Sequence, residues 1–161
     1  MTGSWQDLKL GAPQIARLGV DRLKSARVAL LGTVRRDGSP RISPIEPYLA
    51  TGELLVGAMA WSAKAADLRR DPRFALHSAV TGPDSGEGEL KLYGLALDAG
   101  PELRGAAVDA WWQAGPPDKA MVFALRIGQA VFIGWDVEHG LMTVRRWSPE
   151  CGYSQASRAY P

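Results

Sequence analysis

The stretch Arg27–Val80 reads RVALLGTVRRDGSPRISPIEPYLATGELLVGAMAWSAKAADLRRDPRFALHSAV, and the rest of the chain is arranged around it. Residues Arg27–Val34 form a nearly continuous apolar run, the pattern of a strand buried on both faces. Arg36-Asp37-Gly38-Ser39 supplies a hairpin turn, because Asp and Gly hold positive φ cheaply. The returning stretch Arg41–Tyr48 then breaks the local rules, since Pro40, Pro44 and Pro47 each remove a ladder donor. Proline there implies an edge, a bulge, or a surface along which something other than a strand lies. Departures of this kind concentrate at functional sites, so Arg41–Tyr48 is the first candidate for a ligand wall.

The second half of the candidate site is Trp61-Ser62-Ala63-Lys64. A strand over Glu53–Ala60 runs into it, and Ala63–Arg70 has a helix-forming composition that stops at Asp71-Pro72. Ser62 suits the N-cap and Lys64 falls in the first turn. A helix start offers unpaired N–H groups and partial positive charge, so Ser plus Lys there suits a phosphate. The plainer reading is a capping serine beside a solvated lysine. Lysine in a first turn opposes the helix dipole, and a nearby anion would remove that opposition.

At 161 residues the chain is expected to form one domain with a sizeable core, and 46% hydrophobic and 22% charged residues are ordinary for a globular protein. A net charge of +2 with no long basic run argues against nucleic acid as the partner. Met1–Leu10 has no apolar signal core, and no later run is long enough to span a bilayer. The single cysteine, Cys151, excludes an internal disulfide and no metal cluster is offered. A cytoplasmic, non-membrane protein is the expectation.

Outside the central stretch, Ala12–Ala26 reads as a helix with Pro13 in its first turn. Arg73–Val80 is a strand carrying His77, which amid apolar residues reads more readily as a structural group than as a catalyst. Thr81–Gly88 is an acidic, glycine-rich loop expected to be mobile, and Glu89–Leu97 is a strand in which Gly94 marks a bulge or a close approach. Pro101–Ala114 is expected as a helix ended by Gly115-Pro116-Pro117, with the Trp111-Trp112 pair packing on the barrel or on a second subunit. Met121–Arg126, Ala130–Trp135 and Leu141–Trp147 are strands, and the tail SPECGYSQASRAYP is polar. About eight short strands with two or three helices suit a small antiparallel barrel.

DGSPRISPIEPYL (residues 37–49) followed by WSAKAADLRRDPR (61–73) resembles the pyridoxamine 5′-phosphate oxidase-related, FMN-binding split-barrel family, in particular its short oxidase-like members. The resemblance is strongest over Arg27–Val80 and weaker through Glu89–Trp147. It implies a mostly β, α+β fold: an antiparallel, six- to eight-stranded, Greek-key-like split barrel with a few flanking helices. It further implies a flavin-dependent oxidoreductase that binds FMN non-covalently at a homodimer interface and acts on a small molecule.

Carried over by position, Arg41, Ile42, Ser43, Pro44 and Ile45 would line the flavin ring. Gly57 and Ala58 would touch it from the next strand, and Ser62 and Lys64 would hold its phosphate. Trp135 and Arg145, facing each other across the last hairpin, would reach the flavin of the second subunit. Ile42, Ile45, Trp111 and Trp112 would contribute to the dimer interface. Some positions depart from the family. Ala63 replaces an arginine often found before the lysine, Ser43 and Tyr48 replace basic phosphate-contacting residues, and Glu89 stands where a glutamine often faces the flavin. The Arg-x-His element that grips pyridoxal phosphate falls on Leu141-Met142-Thr143 and is missing, which argues against pyridoxamine phosphate as the substrate. A deazaflavin coenzyme, or a flavin- or haem-binding module without turnover, are the alternatives.

Overall fold

A computed structural model describes residues 1–108 and 118–160. Its elements are α1 (Trp5–Gly11), α2 (Pro13–Ala26), β1 (Ala29–Val34), β2 (Pro40–Ile45), β3 (Pro47–Ala50), β4 (Glu53–Met59), α3 (Ala63–Arg70), β5 (Arg73–Ser78), β6 (Glu89–Asp98), α4 (Pro101–Val108), β7 (Ala120–Asp136), β8 (Leu141–Ser148) and β9 (Gly152–Ala159). The strands join in one antiparallel sheet in the order β2-β1-β5-β6-β7-β4-β3, with β8 and β9 extending from the far half of β7. The two ends of that order, β2 and β3, are consecutive in the chain, so the sheet curls into a barrel. Its last seam carries no strand pairing among the described residues.

Alternation along the strands fills the barrel. Leu31, Ile45, Leu54, Val56, Phe74, Leu76, Leu90, Leu92, Phe123 and Leu125 point inward, and α1 and α2 close one end with Trp5, Leu8 and Ile15, all buried. A smaller cluster, Leu55, Ala99, Ala107, Val122 and Ala124, seals α4 against the outside of β4 and β7. Among the described residues no helix is long and apolar enough to cross a membrane.

Three expectations change. Trp5–Gly11 is a helix that the polar composition of the N-terminal stretch conceals. Ser4 caps it, its hydroxyl accepting the Asp7 N–H while the Asp7 carboxylate accepts the Ser4 N–H at 2.7 Å. This Ser-x-x-Asp pattern is a capping box, legible in principle. Met121–Arg126 and Ala130–Trp135 are one strand, because the register shift opposite Tyr93/Gly94 lets β7 absorb Gly128 as a bulge and continue. The tail contains β9, whose eight residues are exposed on both faces and therefore show no apolar alternation.

Gly94 does mark a close approach: a Cβ there would lie 1.9 Å from the Arg126 carbonyl oxygen. Thr81–Gly88 is anchored, since the buried Arg22 guanidinium donates to Glu87 at 2.5 Å and to the Ala79 carbonyl at 2.8 Å. The continuation of α4 to residue 114, with Trp111 and Trp112, lies outside the described residues.

Candidate functional site

The prolines of β2 sit where an edge strand tolerates them. Pro44 opposes Leu30 and Pro40 opposes Val34. Lacking N–H groups, both must occupy the non-hydrogen-bonded pairs of the β1–β2 ladder. Their remaining backbone polar groups turn away from β1, toward the open seam, and no ladder bond is lost.

That seam is a wedge. β3 pairs with β4 only as far as Pro47 opposite Val56. Before Glu46 the chain runs as β2 and pairs with β1 instead, so among the described residues the outer edge of Gly57, Ala58 and Met59 is left without a strand. The start of α3 stands at the mouth, where the Ser62 hydroxyl accepts the Ala65 N–H at 3.3 Å. Lys64 reaches across, its Nζ donating to the Pro44 carbonyl at 2.8 Å. Burial holds the Lys64 ammonium below the ordinary lysine range. Among the described residues no carboxylate forms a salt bridge with it, so a partly buried cation rests on one neutral oxygen. Arg41–Ile45, Gly57, Ala58, Ser62 and Lys64, far apart in sequence, thus border one wedge.

Their side chains do not share a surface. Arg41, Ser43 and Ile45 face inward, while Ile42 and Pro44 face out. Ile45 is 5% exposed and belongs to the barrel core, which corrects its assignment to a subunit interface. Ile42 is 72% exposed and continues across Gly32 and Ala75 to Tyr93 in one outer row, with Leu30 in the row beside it. Ala58 packs in the core with Leu54 and Val56, while Gly57 alternates to the α4 side of β4.

Arg41 is fixed by a buried hub. The Asp67 carboxylate accepts the Arg41 Nε at 2.7 Å and the Thr33 hydroxyl at 3.0 Å, with Arg70 at 3.4 Å on its other oxygen. Arg70 also donates to the Val34 carbonyl. Burial pushes the Asp67 carboxyl up, but the bonds from Arg41 and Thr33 outweigh it and leave the group below the usual carboxylate range. The hub ties β1, β2 and α3 together beside the wedge.

Trp135 and Arg145 do not face each other. Arg145 opposes Phe132 and Trp135 opposes Met142, three rungs away, so the pleat sends the two side chains to opposite faces of the hairpin. The Arg145 Nε is buried and unpartnered among the described residues. His77 belongs to a polar cluster on the outer face: Nδ1 lies 2.7 Å from the Ser78 carbonyl and Nε2 3.3 Å from Glu89, whose other oxygen pairs with Lys91 at 2.6 Å. Trp61, 81% exposed beside Ser62, opens the second candidate stretch but received no cofactor contact by position. An indole so open at the mouth of a wedge is the local signal that marks it, since Trp is usually largely buried.

No family model matches the chain, and no curated protein matches it. Solved structures do. PhzG from Burkholderia lata, determined in complex with tetrahydrophenazine-1-carboxylic acid, superposes with a TM-score of 0.70 at 10% identity, over 95% of this chain and 92% of that one. A heme-binding protein from Mycobacterium smegmatis gives 0.63 at 16% identity, over 92% and 89%. A pyridoxamine 5′-phosphate oxidase-related, FMN-binding protein from Nostoc punctiforme gives 0.62 at 15% identity, over 93% and 96%. The chain spans 56% of the length of a further structural neighbour, a protein of unknown function from Agrobacterium tumefaciens. The open seam, the edge strand with its outward prolines and these superpositions agree: the chain has the split-barrel fold of the pyridoxamine 5′-phosphate oxidase-related, FMN-binding proteins.

Proposed function

We propose that this protein binds FMN non-covalently at the wedge and acts as a flavin-dependent oxidoreductase on a small molecule. The observation that carries the reading is Lys64: a partly buried ammonium at a helix start, without an acid partner among the described residues and spending its donor on a carbonyl. A phosphate would supply the missing counter-charge, helped by Ser62 and the first N–H groups of α3. The Arg145 Nε is likewise buried and unpartnered among the described residues. The residues present therefore suit a phosphorylated cofactor.

FMN, when bound, supplies the redox chemistry, and the protein supplies binding, orientation and electrostatics. In this reading Lys64 neutralises the phosphate, the β2 edge excludes water from one side of the ligand, and Asp67 holds Arg41 and α3 in register around it. Trp61 covers the mouth. A homodimer completes the site, because the outer row of Ile42, Leu30 and Tyr93 is apolar and exposed in one copy. An obligate interface of this kind buries about 2,000 Å² or more, and a stable 17 kDa monomer at micromolar concentration in sedimentation would refute it.

The heme-binding neighbour favours a second reading, a cofactor-binding module without turnover. A deazaflavin coenzyme, with its longer acidic tail, would use Lys64 in the same way. Fluorescence titration of the apo protein with FMN, deazaflavin and haem separates these. Saturable FMN binding that weakens in Lys64→Ala supports the proposal. Haem binding indifferent to Lys64 supports the module. FMN binding without electron exchange above free FMN, across a panel of reduced nicotinamides and small acceptors, removes the enzymatic half.

A further inference from the structure

A separate cleft lies at the end of β4 remote from the wedge. Helices α1 and α2 and the turn between β3 and β4 border an open cleft of about 490 Å³, a volume within the range of small-molecule sites. The seven residues of β4 separate this turn from the approach to α3, a span of about 20 Å. The floor is apolar, built from Trp5, Ala16, Val20 and Leu49, and the rim carries Lys9 and Arg17.

Some of the chain's cations are paired and others are not. Arg22, Arg41, Arg73, Lys91 and Arg126 each pair with a carboxylate. Lys9 and Arg17 form no salt bridge among the described residues, although Asp21, the one carboxylate lining the cleft, sits four residues from Arg17 on the same helix. The walls are held in place, since the Gln6 N–H donates to the Gly52 carbonyl at 2.8 Å. A Cβ at Gly52 would press on Gln6 at 3.2 Å, so a glycine is what lets α1 approach the turn so closely. The turn is also locally unfavourable: Thr51 has φ 49° and Gly52 φ 81°. Asn or Gly normally takes the first of these positions, and a β-branched residue there is strained. Thr51 lines the cleft.

We propose that this cleft binds a small organic anion with a flat apolar body, such as an aromatic carboxylate. The acid group would meet Lys9 and Arg17, and the body would lie along Trp5, Val20 and Leu49. A wholly polar anion would leave the floor unused, and a neutral apolar ligand would leave the two cations without a counter-charge. The site is independent of the wedge and of any cofactor there.

The test uses the full chain, isotopically labelled, titrated with 2-naphthoate and with the uncharged 2-naphthylmethanol while amide ¹H–¹⁵N signals are followed. The expected result is saturable shifts at Gln6, Lys9, Arg17 and Leu49–Gly52, with the acid bound roughly tenfold or more tighter than the alcohol. Lys9→Gln combined with Arg17→Gln should bring the acid down to the affinity of the alcohol and leave the alcohol unchanged. Val20→Trp, which fills the cleft, should abolish both, and Lys64→Ala should alter neither. Equal affinities for acid and alcohol in the wild-type chain would overturn the proposal. So would shifts centred on the wedge or on the outer row of Ile42 and Leu30.

Discussion

Two seams of the barrel are built on opposite terms. Between β6 and β7 the strands pair over ten positions, and Gly94 lets the backbones approach until a Cβ would meet the Arg126 carbonyl oxygen at 1.9 Å. Between β2 and the end of β4 there is no ladder, and the gap is crossed by the Lys64 side chain reaching the Pro44 carbonyl. The first seam leaves no room for any additional group. The second leaves backbone edges, a helix start and a cation turned toward an open space. A barrel stabilised around most of its circumference can leave one seam unpaired, and that seam is where a ligand can be held.

The sharpest way to break the contrast is Gly94→Ala. Its methyl would collide with backbone that cannot rotate aside, so the β6–β7 bulge must shift or the ladder must open. The expected loss is about 3 kcal/mol or more. At roughly 2–4 °C per kcal/mol for a domain of this size, thermal unfolding should begin some 6–12 °C lower. A variant as stable as wild type would show that the closed seam is looser than its geometry.

Comparable in size is the effect at the hub beside the open seam. Asp67→Ala removes a buried carboxylate from Arg41, Thr33 and Arg70 and should cost about 3–5 kcal/mol by denaturant unfolding. Asp67→Asn probes the charge alone. The native carboxyl sits below the ordinary range, so its contribution is fully present above about pH 4 and is lost as pH falls through the depressed native value. Wild type should therefore lose stability on acidification in that window more steeply than Asp67→Asn. Parallel curves would remove Asp67 as a source of acid sensitivity.

Lys64, three residues before Asp67 on the same helix, should behave in the opposite way. Lys64→Ala should change fold stability by no more than about 0.5 kcal/mol, because its ammonium is partly desolvated and has no acid partner among the described residues. A hydrogen bond to a charged group is worth about 1.5–3 kcal/mol, so FMN affinity should fall roughly ten- to a hundred-fold. Lys24→Ala, on α2, is the matched control and should leave affinity alone. Equal affinities for wild type and Lys64→Ala would end the phosphate reading of the open seam. The smallest effect is expected at the tip of β3–β4, where Thr51→Asn relieves a left-handed β-branched residue and should raise stability by about 1 kcal/mol.

The central stretch was legible because its signals are local. Asp37-Gly38 turns the chain, Pro44 declares an edge, and Ser62 followed by Asp71-Pro72 brackets a helix; the structure has all three. The N-terminal helix was legible only to a reader who weighs a capping box ending in Asp as heavily as one ending in Glu. The strand β9 was not legible, because a strand exposed on both faces has nothing to alternate. Pairing Trp135 with Arg145 failed for a related reason: a ten-residue spacing says nothing of register, and the tight turn puts them on opposite faces.

By itself the sequence determined the order of strands and helices through the central stretch, the proline-bearing edge and the helix that carries Lys64, because propensity, turn chemistry and capping act within a few residues. Only the tertiary structure decided that β2 leaves β3 to pair with β1, opening the wedge. It also decided that Asp67 is saturated while Lys64 lacks an acid partner among the described residues, and that α1 fastens to the β3–β4 turn to shape a second cleft. Those outcomes depend on which distant strands share an edge and which charges meet. Burial and long-range pairing fix both, and no local window of residues contains them.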